Sequence, residues 1–174
     1  IIETVLTGTE EAITQGWADL AISPMMPKGF LGEPIAECAL YPVCHPDHEL
    51  ASLTGPIDLN DLQQHLQLVI KDTSSSPSEK QGWLKSEQRW TVSTFETAVD
   101  LLRENIGFCW LPEFIVDPLI ERKILHRLPI KGSSFRPLIC YVIKPKPDSC
   151  GPGSNLLYKT LVKQSPFNNP LIEE

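Results

Sequence analysis

Positive charge is scarce in this chain and is nowhere concentrated. Across 174 residues, 15 Lys and Arg stand against 22 Asp and Glu, a formal charge of −7. The densest basic stretch is "KPKP", Lys144 to Pro147, with two lysines. Neutralising a phosphate backbone takes several cationic side chains on one face, so this chain, taken alone, should bind nucleic acid poorly. Long apolar runs are missing too. None approaches the roughly 20 residues of a bilayer-spanning helix, so no membrane partner is expected. The opening "IIETVLTG" has neither the basic start nor the apolar centre of a secretory signal, and it lacks an initiator Met, so the chain reads as a fragment. There is no Gly-x-Gly-x-x-Gly or Walker sequence and no Gly-x-Ser-x-Gly elbow. The five cysteines, Cys38, Cys44, Cys109, Cys140 and Cys150, are odd in number, contain no Cys-x-x-Cys, and mostly lie in apolar strand-like runs. That usage fits reduced thiols in a cytoplasmic protein.

What is present fits a globular α/β protein. Hydrophobic residues make up 41% and charged residues 21%, and the length suits one ordinary domain or two small lobes. The 16 prolines are scattered, as punctuation between many short elements. Residues Ile1 to Leu6 read as a strand. Thr9 reads as a helix N-cap, with Glu10 and Glu11 in the first turn, where the helix dipole favours acids. The helix stops near Gly16, and Ala18 to Ser23 reads as a second, buried strand. The whole opening is expected to be a βαβ unit.

Further on, Ile35 to Cys44 reads as a long strand interrupted by Pro42. Asp58 caps a short helix, "LQLVIK" and "RWTVS" are strands, and "TFETAVDLLREN" is an amphipathic helix with Ala98, Leu101 and Leu102 on one face. "IGFCWLP" is a strand, followed by a helix with Pro112 near its first position. "ILHRLPI" and "RPLICYVIK" are strands, and a terminal helix is capped by Ser154. The polar loop Asp72 to Gly82 is long enough to suggest a role.

Four segments together resemble the effector-binding domain of LysR-type transcriptional regulators. They are "TGTEEAITQGWADLAIS", with Gly16, Asp19, Leu20, Ala21 and Ile22; "YPVCHPDHELAS", with His45, Pro46, Leu50 and Ala51; "IDLNDLQQHLQLVI"; and "RENIGFCWLPE", with Gly107, Leu111 and Pro112. Asn105 stands where that family usually has a glycine, and Asn is the other residue that tolerates positive φ at a helix end.

The resemblance implies an α/β fold with two Rossmann-like lobes joined by crossing strands, similar to type-2 periplasmic binding proteins. Residues 1–41 would begin lobe I, 42–137 would form lobe II, and 138–174 would be the return strand and the C-terminal helix of lobe I. The family's first strand and helix of lobe I would be missing here. The implied activity is regulatory and not enzymatic: a small effector bound in an inter-lobe cleft, with the signal passed on through the geometry of a dimer or tetramer. DNA would be met only by a helix-turn-helix absent from this chain, and no cofactor is implied.

In open α/β sheets, ligands sit at strand carboxyl ends and helix N-termini. The candidate effector-binding residues are therefore Gly8 and Thr9, where Gly8 lets backbone approach a ligand; Ser93 and Thr94, at the start of the helix carrying Ala98; and the loop Thr73, Ser74, Ser75, Ser76 and Pro77, which the resemblance places toward the cleft. These hydroxyl and amide donors suit a carboxylate or another acceptor-rich small molecule. Capping alone accounts for Thr9, Ser93 and Thr94 equally well, and serine loops are commonly just solvated. Trp83, Trp90 and Trp110 are candidates to line a pocket, with Trp110 reading as core. "HPDH", His45 to His48, raises a metal reading, but it falls on a turn with no third ligand nearby in sequence. The alternative to a regulator is a bilobed solute-binding protein of a transport system.

Overall fold

A computed structural model of the protein describes residues 1–76, 84–132 and 135–168; Pro77 and Trp83 lie outside the described residues. In chain order the elements are α1 (Thr7–Gln15), β1 (Ala21–Ser23), β2 (Gly32–Cys44), α2 (Leu59–Gln63), β3 (Gln67–Ile70), β4 (Arg89–Val92), α3 (Phe95–Arg103), β5 (Phe108–Pro112), α4 (Glu113–Glu121), β6 (His126–Arg127), β7 (Arg136–Ile143) and α5 (Pro152–Lys163). The chain divides into two compact units. Ile1–Glu37, Asp72–Glu79 and Leu138–Glu174 form the first, and Cys38–Lys71 with Lys80–Pro137 form the second.

In the first unit the expected βαβ opening does not form. Residues 1–6 are not a strand, and β1 pairs antiparallel with β7, Ala21 opposite Ile143 and Ser23 opposite Tyr141. The backbone of Val5 is instead engaged by Thr73: the Val5 amide donates to Thr73 Oγ1 at 2.8 Å, and the Thr73 amide donates back to the Val5 carbonyl at 3.3 Å. Helix α1 starts two residues before Thr9. Its N-cap position is Leu6, at φ 52° and ψ −124°, which supplies no side-chain cap. Thr9 is therefore buried in the first turn and is not the cap. The end of α1 is where the glycine demands it. Gly16 is left-handed at φ 65°, and the amides of Gly16 and Trp17 donate to the carbonyls of Ile13 and Ala12 at 3.1 and 3.0 Å, the bond pair that closes a Schellman end. Helix α5 starts at Pro152 after Gly151. Ser154 is not its cap, and its hydroxyl donates to Asp19 Oδ2 at 3.0 Å.

The second unit follows the sequence pattern more closely. Strand β2 runs through Pro42 without a break and pairs antiparallel with β5, Tyr41 opposite Leu111 and Val43 opposite Cys109. Strand β3 lies parallel to both β4 and β5. The core gathers Cys44, Leu50, Ile57, Leu62, Phe108, Leu128 and Ile130, with Trp110 packed against it. Burying Phe108 completely contributes on the order of 2–3 kcal/mol before packing terms. Asp58 caps α2 in a reciprocal capping box with Asp61. Thr94 caps α3, whose buried stripe is Ala98, Val99 and Leu102. That helix ends at Arg103 with Glu104 as its C-cap, and Asn105, next in the chain, takes the positive φ, 60°, that the sequence led us to expect. Pro112 is the N-cap residue of α4 rather than its first helical residue. "ILHRLPI" shrinks to the two-residue β6, paired with β2.

Candidate functional site

The helix start at Gly8 is built around a residue that sequence reading had treated only as the beginning of a loop. Asp72 accepts from four donors. Its Oδ2 takes the Thr7 amide at 3.2 Å and the Thr7 hydroxyl. Its Oδ1 takes the Gly8 amide at 3.1 Å and the Ser74 amide at 2.9 Å. One carboxylate thus serves the first amides of α1 in place of the missing local cap. Partial burial pushes the Asp72 carboxyl up, but the hydrogen bonds from Thr7, Ser74 and Gly8 outweigh it and hold the group below its ordinary value. A reciprocal contact runs the other way. Glu11, one turn into α1, accepts from the Ser75 amide at 2.7 Å and from the Ser75 hydroxyl. These bonds hold its carboxyl below the usual range.

The close approach that Gly8 permits is therefore made by the protein itself. A Cβ at Gly8 would lie 2.0 Å from Thr73 Oγ1 and 2.9 Å from the Thr73 carbonyl carbon. The amides of Thr7 and Gly8 are not free donors, because Asp72 holds them. Thr9 projects elsewhere. Its hydroxyl meets that of Thr4 at 2.8 Å, and it lines a largely apolar cavity of about 500 Å³ with Trp17, Leu20 and Leu157. Ser76 donates its amide to Ser74 Oγ at 3.1 Å. The first unit thus gathers Gly8, Thr9, Thr73, Ser74, Ser75 and Ser76. Ser93 and Thr94 belong to the second unit. Thr94 Oγ1 accepts from the Thr97 amide at 3.2 Å, whereas Ser93 is exposed.

Replacing Asp72 should show how much the first unit depends on it. Asp72→Ala leaves the amides of Thr7 and Ser74 without their acceptor and leaves the Gly8 amide only the Val5 carbonyl, at 3.1 Å, and the site is only partly buried, so we expect a loss of about 1–2 kcal/mol in urea unfolding. Because the folded-state pKa is depressed, the carboxylate's contribution is present above the ordinary aspartate value and is lost as pH falls through the folded value. The gap between wild type and Asp72→Ala should then be full at neutral pH and narrow below about pH 4. A gap that widens on acidification would contradict this assignment.

The remaining candidates are placed as follows. Trp110 packs on the second unit's core, and Trp90 is exposed. His45 and His48 each use Nδ1 as a local acceptor, for the amides of Asp47 and Leu50, both at 3.1 Å. Burial and the nearby His65 ring keep His48 below the usual imidazole value. No group of three or more His, Cys, Asp or Glu is arranged to hold a metal among the described residues. Cys44 and Cys109 are buried, and burial pushes both thiols up to about 12. No helix among the described residues is long and apolar enough to cross a membrane.

What sequence reading missed was Asp72 as the partner of α1. "DTSSS" does signal an Asx turn, and the bond from the Ser74 amide realises it. Nothing local in the sequence signals the link across 64 residues to Gly8.

A family model described as the LysR substrate binding domain matches residues 1–163. The Escherichia coli K12 protein YeeY, named an uncharacterized HTH-type transcriptional regulator, is 26% identical over 135 residues, covering 71% of this chain and 44% of YeeY. The chain thus spans less than half the length of that curated relative. Among solved structures, the Synechocystis CcmR regulatory domain in complex with 2-PG aligns with TM-score 0.68 at 14% identity, covering 90% of this chain and 78% of that one. The effector binding domain of QuiR in complex with shikimate aligns with TM-score 0.67 at 16% identity, covering 91% and 77%. The MetR regulatory domain from N. meningitidis gives 0.65 at 18%, covering 89% and 73%. The fold is the mixed α/β, type-2 periplasmic-binding-protein-like fold of these domains. These matches do not favour the solute-transport alternative.

Proposed function

We propose, from the premise that this chain belongs to the LysR substrate binding domain family, that it senses a small-molecule effector for a DNA-binding transcriptional regulator. The observation that carries this reading is the family match over residues 1–163. In the longer protein a helix-turn-helix would read DNA, the domain would self-associate as a dimer or tetramer, and the protein would act in the cytoplasm without catalysing a reaction. The residues we assign to the effector are Thr9, Thr73, Ser74, Ser75 and Ser76 in one unit and Ser93 and Thr94 in the other, acting through their hydroxyls, since the amides of residues 73–76 already donate to Val5, Asp72, Glu11 and Ser74; Gly8 allows the close packing of residues 72–73.

The charges around α1 refine the kind of effector. Asp72 already occupies the amides of Thr7 and Gly8, and Glu10 and Glu11 lie on the same helix. A highly charged anion would meet three carboxylates there. A hydroxyl-rich ligand with at most one carboxylate fits better, because hydroxyls can donate to those acceptors as well as accept. The test is a melting-temperature screen of this chain against central metabolites, with 2-PG and shikimate included because two similar domains are named as their complexes. We expect a hydroxylated monocarboxylate to raise the melting temperature in a saturable way. Stabilisation only by multiply charged anions, or by no metabolite at millimolar concentration, would overturn the reading.

A further inference from the structure

The first unit contains a second cavity, of about 480 Å³, that shares no lining residue with Gly8, Thr9 or the 73–76 loop. Its walls come from the turn before β2, the chain leaving β7, and helix α5, and Phe30, Pro145 and Pro147 supply apolar surface. Two opposite charges sit in this lining, Glu33 and Lys144. They do not form an ion pair with each other, and the Glu33 carboxylate makes no hydrogen bond among the described residues. The Lys144 head is held in place. It donates to Asn155 Oδ1 at 2.8 Å and lies 4.0 Å over the Tyr158 ring, while Asn155 is itself fixed by donating to the Cys150 carbonyl at 2.8 Å. An ammonium has three donors, and this arrangement uses one. The Tyr158 hydroxyl has no hydrogen-bond partner among the described residues. Burial, and after it the Glu33 carboxylate, hold its pKa above the ordinary tyrosine value.

An anion entering this cavity would face Glu33, and a cation would face Lys144. A ligand carrying both charges leaves neither group opposed. We propose that this cavity is a second ligand site, taking a zwitterionic α-amino acid with an apolar side chain. Its ammonium meets Glu33, its carboxylate meets the free donors of Lys144 and the Tyr158 hydroxyl, and its side chain lies against Phe30 and Pro147. The volume is within the range of small-molecule sites, and the fixed Lys144 lowers the ordering cost of binding. The site goes beyond the effector reading above and does not depend on it.

The test is calorimetric titration of the 174-residue chain with L-leucine and L-phenylalanine, beside N-acetyl-L-leucine, which lacks the ammonium, and L-leucinamide, which lacks the carboxylate. At least one free amino acid should bind saturably, and each blocked form of leucine should bind roughly tenfold or more weakly, the loss expected for one charge-assisted contact. Glu33→Gln and Lys144→Met should each weaken the free amino acid by a similar factor. Glu33 is exposed, so its replacement leaves the fold intact by circular dichroism. Thr9→Val and Ser93→Ala should leave this binding unchanged. The proposal is overturned if neither amino acid binds, if blocked and free forms bind alike, or if Glu33→Gln has no effect. Loss of amino-acid binding in Thr9→Val but not in Glu33→Gln would also overturn it, by placing the ligand at the other site.

Discussion

Gly107→Ala should destabilise the second unit by about 3 kcal/mol, the largest effect we expect from a single methyl group. Two independent costs meet at this residue. Its φ is +64°, a conformation that costs an L-residue about 1–2 kcal/mol. A Cβ would also stand 2.3 Å from the Leu66 carbonyl oxygen. That oxygen is backbone, and it accepts the Phe108 amide at 3.0 Å, so it cannot move without disturbing the start of β5. The strain would pass to Phe108, which is fully buried in the core. In urea unfolding the midpoint should fall by about 1–2 M with little change in slope. The neighbouring Asn105→Gly is the control. Asn105 also has positive φ, 60°, and glycine adopts that conformation freely, so this change should stay within about 0.5 kcal/mol of wild type. Equal effects at the two positions would show that the contact with Leu66 is not as tight as the structure has it.

Gly8→Ala should cost the first unit about 2 kcal/mol, although alanine is the better helix former by about 1 kcal/mol. The added methyl would overlap Thr73 Oγ1 at 2.0 Å and crowd the Thr73 backbone at 2.9 Å. Relief requires residues 72–73 to move away from α1. That breaks the Val5–Thr73 bonds and pulls Asp72 off the amides of Thr7 and Gly8. Hydrogen exchange at the Thr7 and Ser74 amides should rise together, because one carboxylate protects both, whereas the amide at position 8 keeps the Val5 carbonyl as acceptor. Thr73→Ala in the Gly8→Ala background should recover only part of the stability, since the backbone overlap remains. A net stabilisation by Gly8→Ala, as helix propensity alone would give, would show that residues 72–73 do not pack on the helix.

These two glycines also show what sequence reading reaches and where it stops. Gly107 sits in "RENIGFCWLPE", and both the positive φ at Asn105 and the strand that follows are local features, so they were legible in advance. The same holds for the Asp58 and Thr94 caps and for the stop of α1 at Gly16. At Gly8 the sequence led us to expect the backbone to approach a ligand; what approaches it in the fold is Thr73, 65 positions later, and no local pattern encodes that. For the same reason Ile1 to Leu6 was misread. An apolar run fits a strand, but whether it finds a pairing partner is a tertiary question, and here the Val5 backbone is taken by Thr73. Thr9 had the right residue type for a cap, yet Asp72 already supplies the acceptor, so the helix begins earlier and Thr9 turns inward. Of the candidate site residues, Gly8, Thr73, Ser74, Ser75 and Ser76 come together around the start of α1, Thr9 of the same unit faces the apolar cavity instead, and Ser93 and Thr94 lie in the second unit. Asp72 and Glu11, which organise them, were visible only in the fold.

The most direct test of the central claim, that this chain holds an effector through hydroxyl donors at its helix starts, is the dissociation constant of one stabilising metabolite for wild type, Thr9→Val and Ser93→Ala, measured by calorimetry at neutral pH. Both changes remove a hydroxyl with little change of shape. The account predicts that each variant melts close to wild type without ligand and binds the metabolite roughly tenfold more weakly. Affinities equal to wild type in both variants would contradict it.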